Sequence, residues 1–220
     1  MNMKAHWNRQ IDELNRMMAS QATAVEESVQ NAIRAVTEKN SELAVAVLDG
    51  DDIIDEYEVR IEEECLKVLA LYQPVASDLR FVITLLKVNT ELERIGDLAT
   101  NMAKRAIHIA KVHSHEELPD FSAMFMEVSN CLKNALDAFF CRDCSKAEAV
   151  IAGDDAIDKR HHDNIAKIVE VIKTNPTNSD VLFDFLTVSR NLERIADSCT
   201  NIGEDVIYLE QGIIVRHQRT

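Results

Sequence analysis

The chain contains the same text twice. LERIGDLATN, Leu92 to Asn101, returns as LERIADSCTN, Leu192 to Asn201, with seven of ten positions identical at an offset of 100. DGDDIID, Asp49 to Asp55, returns as AGDDAID, Ala152 to Asp158, at an offset of 103. QPVASD, Gln73 to Asp78, returns as NPTNSD, Asn175 to Asp180, at 102. Three matches in one order at nearly one offset mark a tandem duplication. Residues 1–113 and 121–215 are expected to form two similar units, with the polar, Pro119-bearing stretch 114–120 as a linker.

Each unit has a helical period. Leu92, Ile95, Ala99, Met102, Ala106 and Ile109 step by 3,4,3,4,3, and Leu192, Ile195, Cys199, Ile202, Val206 and Leu209 repeat those steps. Such a stripe packs against a partner helix at a small crossing angle. A first helix is expected over Trp7–Glu38 and a second over Glu42–Tyr72, bent at Gly50 as its counterpart is at Gly153. Pro74 and Pro176 part the second helix of each unit from the third, because proline cannot continue a helix. Asp78 and Asp180 then favour the N-terminal dipole of the helix that follows. The expected fold is all-α: two tandem, pseudo-symmetric three-helix bundles, six long helices in all. Five Gly and three Pro in 220 residues leave little room for long loops or for a sheet with a turn every few residues.

The charge is −14. A chain this acidic is repelled by phosphate backbones and anionic lipid and favours cations and basic protein surfaces. Nucleic acid and membrane insertion are therefore not expected; the longest apolar run, Leu43 to Leu48, is far short of the roughly 20 residues that span a bilayer. MNMKAHWNRQ has no apolar export segment, and five cysteines, an odd number, read as reduced thiols in the cytoplasm.

The acids are patterned. Glu93, Asp97 and Asn101 form one line at i, i+4 and i+8, repeated by Glu193, Asp197 and Asn201. Asp51 and Asp55 form another pair, repeated by Asp154 and Asp158. Like charges at this spacing destabilise a helix by about 0.2–0.5 kcal/mol per pair. Four such pairs, two per unit, suggest a cation that offsets the repulsion, and oxygen donors suit Mg²⁺, Mn²⁺, Fe or Zn²⁺. The plainer alternative is a solvated face with Arg94 and Arg194 nearby. His161 and His162, three and four residues after Asp158, read as a solvated pair, although one could reach the second cluster as a nitrogen ligand. Cys141 and Cys144 form one CxxC without the second pair of a zinc site and read as ordinary thiols. No phosphate-binding glycine loop, nucleophile elbow or ExxH diiron motif is present.

QPVASDLR, ELERIGDLATN, NLERIADSCTN, the two GDD segments and the terminal VRH, Val215 to His217, together resemble the PhoU family over essentially the whole chain. The resemblance implies duplicated three-helix bundles, often dimeric, that carry multinuclear metal clusters and have no catalytic activity of their own. It implies a negative regulator of the phosphate-starvation response that couples the ATPase subunit of the Pst phosphate transporter to a PhoR-type sensor histidine kinase. Carried onto this sequence, one cluster would use Asp51, Asp55, Glu93 and Asp97, with Asn101 at its edge. The other would use Asp154, Asp158, Glu193, Asp197 and Asn201. Asp52 and Asp155 add charge, and either member of each Asp pair could serve. A metal-dependent phosphohydrolase, with metals about 3.5–4 Å apart, and a metal-free helical scaffold are the alternatives.

Overall fold

The computed structural model describes residues 3–111, 119–174 and 179–215. Most of the linker, Pro176 and the terminal Arg216 and His217 lie outside the described residues. Six helices follow in order: α1 (Met3–Thr37), α2 (Ser41–Tyr72), α3 (Ala76–Ala110), α4 (Ser122–Cys141), α5 (Cys144–Thr174) and α6 (Ser179–Gln211). No strand occurs among the described residues. α1, α2 and α3 pack on one another, as do α4, α5 and α6. α4 is the shortest, 20 residues against 35 in its counterpart α1.

Local chemistry sets the helix ends. The Asn40 side chain accepts from the Glu42 and Leu43 amides, and Asp143 accepts from those of Ser145 and Lys146. Each cap satisfies donors that the first turn of a helix leaves unpaired. Gln73 and Arg142 close α2 and α4 in the left-handed conformation. Asp78 and Asp180 stand in the first turns of α3 and α6. Gly50 and Gly153 do not divide α2 and α5, which are continuous across them. Glycine in a helix interior lowers local stability but leaves the hydrogen-bond ladder intact.

The apolar stripes identified from their spacing form the core. Leu92, Ile95, Ala99, Met102, Ala106 and Ile109 are fully buried, and so are Leu192, Ile195, Cys199, Ile202 and Val206. α3 and α6 also pack against each other, antiparallel, and join the two bundles into one body with a continuous core. Polar contacts run the length of this seam. Arg80 Nε donates to the Leu209 carbonyl at 3.4 Å, Lys87 Nζ to Asp205 at 2.9 Å, Asn201 Nδ2 to Glu91 at 3.2 Å and Arg105 to Asp184 at 3.3 Å. The basic members, Lys87 and Arg105 with His108 near Asp184 at 3.9 Å, come from α3 and the acidic members from α6.

The interior glycines differ in the space around them. A Cβ on Gly203 would stand 3.1 Å from the Ala147 carbonyl oxygen, where α6 touches α5, whereas one on Gly153 would meet nothing within 4 Å. Gly153→Ala should raise stability by about 0.5–1 kcal/mol through helix propensity. Gly203→Ala should lower it by about 1 kcal/mol net, because a backbone carbonyl cannot yield as a side-chain end can. Chemical denaturation of both variants checks the opposite signs.

Candidate metal centre

α2 and α3 are joined by the short turn at Pro74 and run antiparallel, which brings their acidic pairs together. Asp51 lies within electrostatic reach of Asp97, and Glu93 within reach of Asp55. Burial, then Asp55 and Asp97, push the Asp51 carboxyl above the usual carboxylate range, with Lys104 opposing. Burial, then Asp97 and Asp55, do the same to Glu93, with Arg94 opposing. Asp51 Oδ1 is buried without a hydrogen-bond partner among the described residues. The solvated-face alternative needs neighbouring cations to pair with this row. Arg94 instead approaches Glu91, at 4.0 Å, and among the described residues no Lys or Arg forms an ion pair with Asp51, Asp55 or Glu93.

The second half draws its acids closer. Asp154 and Asp158 on α5 and Asp197 on α6 each offer an oxygen within 4.8 Å of the others. A cation with bonds of about 2.0–2.2 Å holds its donors within about 4 Å of one another, so small rotations would close the set. Asp154 is 1% exposed. Glu193 joins them from α6; burial, then Asp158, push its carboxyl up, Asp154 adds to this, and Arg190 and Arg194 oppose. Counting along the seam from the Glu91–Asn201 contact places Glu93–Asp97 level with Glu193–Asp197 to within a turn.

The other sequence candidates divide. Asn101 stays exposed at the edge of its row, while the Asn201 amide is engaged across the seam by Glu91. Asp52 and Asp155 point outward. His161 is not the solvated residue its sequence setting suggests. It is half-buried with Nδ1 2.9 Å from Ser189 Oγ, and burial, then His162, hold it below its ordinary pKa. His162 remains exposed and donates through Nδ1 to the Asp158 carbonyl at 2.8 Å. Cys141 and Cys144 are free thiols at the turn between α4 and α5. Lys104 is the functional residue that motif reading passes over. Its charge reaches Asp51, and the repeat places Glu204 at the matching position. The first row therefore holds a tethered counter-ion where the second half carries another acid. Both rows are oxygen-only, crowded and partly desolvated, which fits hard or borderline divalent cations.

The model of the PhoU domain matches residues 10–106 and 121–206. A phosphate-specific transport system accessory protein PhoU homolog of Pseudomonas putida is 35% identical over 217 residues, covering 98% of this chain and 85% of that protein. The corresponding Aquifex aeolicus protein is 35% identical over 210 residues, covering 96% and 95%. In three dimensions the chain is similar to the crystal structure of PhoU from Pseudomonas aeruginosa, with a TM-score of 0.90 at 33% identity over 94% of this chain and 100% of that one. It is also similar to the phosphate transport system regulatory protein PhoU of Streptococcus pneumoniae, with a TM-score of 0.87 at 28% identity over 95% and 99%. The match takes in both acidic rows and the helices that carry them, and the chain belongs to the PhoU family.

Proposed function

We propose that the protein is a non-enzymatic accessory regulator of phosphate uptake that represses the phosphate-starvation response while phosphate is plentiful. The observation that carries this reading is end-to-end similarity, through both acidic rows, to proteins named as phosphate-specific transport system accessory proteins. In this reading the protein works in the cytoplasm, as a homodimer, and contacts the ATPase subunit of a Pst-type transporter and a PhoR-type sensor histidine kinase. No helix among the described residues is long and apolar enough to cross a membrane, so its place at a transporter would come through protein contacts. Deleting the gene should switch on phosphate-starvation genes in phosphate-rich medium, and deleting the kinase gene as well should abolish that induction. Transcript levels in the three strains check this; silence in the single deletion would remove the assignment.

Asp51, Asp55, Glu93 and Asp97 would hold cations in one row, and Asp154, Asp158, Glu193 and Asp197 in the other. A bound cation supplies positive charge that offsets carboxylate repulsion and clamps α2 to α3 and α5 to α6. The chain's own residues fix the positions: the apolar stripes hold each helix pair together, Asp154 is buried and Asp51, Glu93, Asp158 and Glu193 are half-buried, while Asp55, Asp97 and Asp197 stay exposed at the open side of the rows.

Two outcomes follow from the electrostatics. Asp51, Glu93 and Glu193 have raised pKa values in the folded protein, so the folded state retains protons that the unfolded chain releases. Their contribution to stability is then greatest at low pH and falls as pH rises from about 4 through the raised values. In chelator, the parent's denaturation midpoint should fall across this window relative to an Asp51→Asn, Glu93→Gln, Glu193→Gln variant. Excess Mn²⁺ or Zn²⁺ should remove that fall in the parent. The second outcome concerns Lys104. In an Asp154→Asn, Asp197→Asn background, Lys104→Gln should tighten cation binding at the first row roughly tenfold, equivalent to about 1.4 kcal/mol. Calorimetric titration with Mn²⁺ checks it.

A further inference from the structure

The core of the first bundle buries polar groups that the acidic rows do not use. Gln21 on α1 and Asn89 on α3 are 0% and 1% exposed. Asn89 Nδ2 donates to the Glu58 carbonyl of α2 at 2.9 Å. Asn89 Oδ1 and both polar atoms of Gln21, Oε1 and Nε2, are buried without a hydrogen-bond partner among the described residues. The three helices meet here at one height. Trp7 on α1 packs on Tyr72 of α2 with ring centroids 5.6 Å apart. Fourteen residues along α1 from Trp7 stands Gln21, and fourteen back along the antiparallel α2 from Tyr72 stands Glu58. Equal counts on two helices give equal rise. The repeat gives the same alignment independently. Asn40 and Asp143 cap α2 and α5 by the same side-chain bonds, so at that offset of 103 Gln21 is the counterpart of Met124 and Glu58 of His161. Asn89 is the counterpart of Ser189 at the offset of 100. In the second bundle these counterparts touch: Ser189 Oγ donates to Met124 Sδ at 3.6 Å and stands 2.9 Å from His161 Nδ1.

We propose that Gln21 and Asn89 form a binding site for one buried water molecule, which ties α1 to the α2–α3 pair. A buried donor or acceptor left unpaired forfeits its hydration, and three such atoms at one height call for a common partner. Water offers two donors and two acceptor sites, and a buried water typically makes about three hydrogen bonds. It donates to Asn89 Oδ1 and Gln21 Oε1 and accepts from Gln21 Nε2. The donor on Gln21 disfavours a cation, and the two carbonyl oxygens disfavour an anion, so the mixed set selects a small neutral ligand that both donates and accepts. The next core position on α1 is Ala22, where the second bundle buries Phe125, so the first bundle carries less side chain at this height. The second half needs no such ligand, because the Met124 thioether accepts from Ser189 and, at 3.4 Å, from Asn164 Nδ2. Asn89 stands one turn before Glu93 on α3, so the water fixes the height of α1 against the helix pair that carries the first acidic row.

The test is a crystal structure of the full-length protein at a resolution that shows individual waters, joined to a water–amide cross-relaxation spectrum in solution. One water should lie within hydrogen-bond reach of both Gln21 and Asn89, and the Gln21 side-chain amide protons should show a cross-peak to a long-lived water. A double-mutant cycle gives the energetic readout, using Gln21→Met and Asn89→Ser, which carry the second half's residues into the first. The fall in the folding equilibrium constant caused by Asn89→Ser should be about tenfold larger in the parent than in the Gln21→Met background, because the bridge is already lost there. Gln21 and Asn89 bonded directly to each other, with no water between them, would overturn the proposal. So would equal effects of Asn89→Ser in the two backgrounds. Should the variants not fold, the parent's structure and spectrum decide alone: a water at both amides upholds the site and its absence sinks it.

Discussion

The antiparallel packing of α3 against α6 is the interaction on which the rest of the molecule depends. Each is the most deeply buried helix of its own bundle, and each also serves as the other bundle's neighbour. Two copies of one helix could pair with themselves as readily as with each other. Here the seam has specialised: α3 contributes Lys87 and Arg105, and α6 contributes Asp205 and Asp184, both acids well shielded from water. Pairing α3 with α3 or α6 with α6 would oppose like charges, so the charge pattern selects the mixed pair. The same contact brings the two acidic rows to one level.

The rows themselves work against the fold. Carboxylates brought together and partly desolvated raise one another's pKa, and in the folded state their repulsion is relieved by protons or by cations. The apolar stripes make this tolerable. They hold α2 on α3 and α5 on α6, with Ile54 seated on Gly96 directly beside the first row, so the repulsion strains the rows without separating the helices. On the proposed reading, cation occupancy would be coupled to the rigidity of the helix pairs, a physical basis for regulation by recognition.

Duplication leaves a record of what each half must keep and what it may change. The ERIxD rows persist, while their surroundings diverge: Gly96 is replaced at the equivalent position by Ala196, Lys104 by Glu204 and Ala99 by Cys199. Gly96 admits Ile54, whose Cδ1 would stand 3.0 Å from an added Cβ. Lys104 and Glu204 set different electrostatic environments for acids of the same type. The halves share a fold and differ in chemistry at single positions.

The helices, their buried faces, the acidic rows and the family were all present in the one-dimensional pattern, because helical period and repetition are properties of spacing along the chain. Gly50 and Gly153 lie inside unbroken helices, because a glycine permits a bend without breaking the hydrogen-bond ladder. Tertiary structure alone decided that Asn201 meets Glu91 and that His161 anchors to Ser189. These contacts join residues 28 to 110 positions apart on different helices or in different halves. A period of 3.6 residues states which side of a helix a residue occupies. Which neighbour stands on that side, and at what height, follows from how the apolar surfaces interlock when the helices pack.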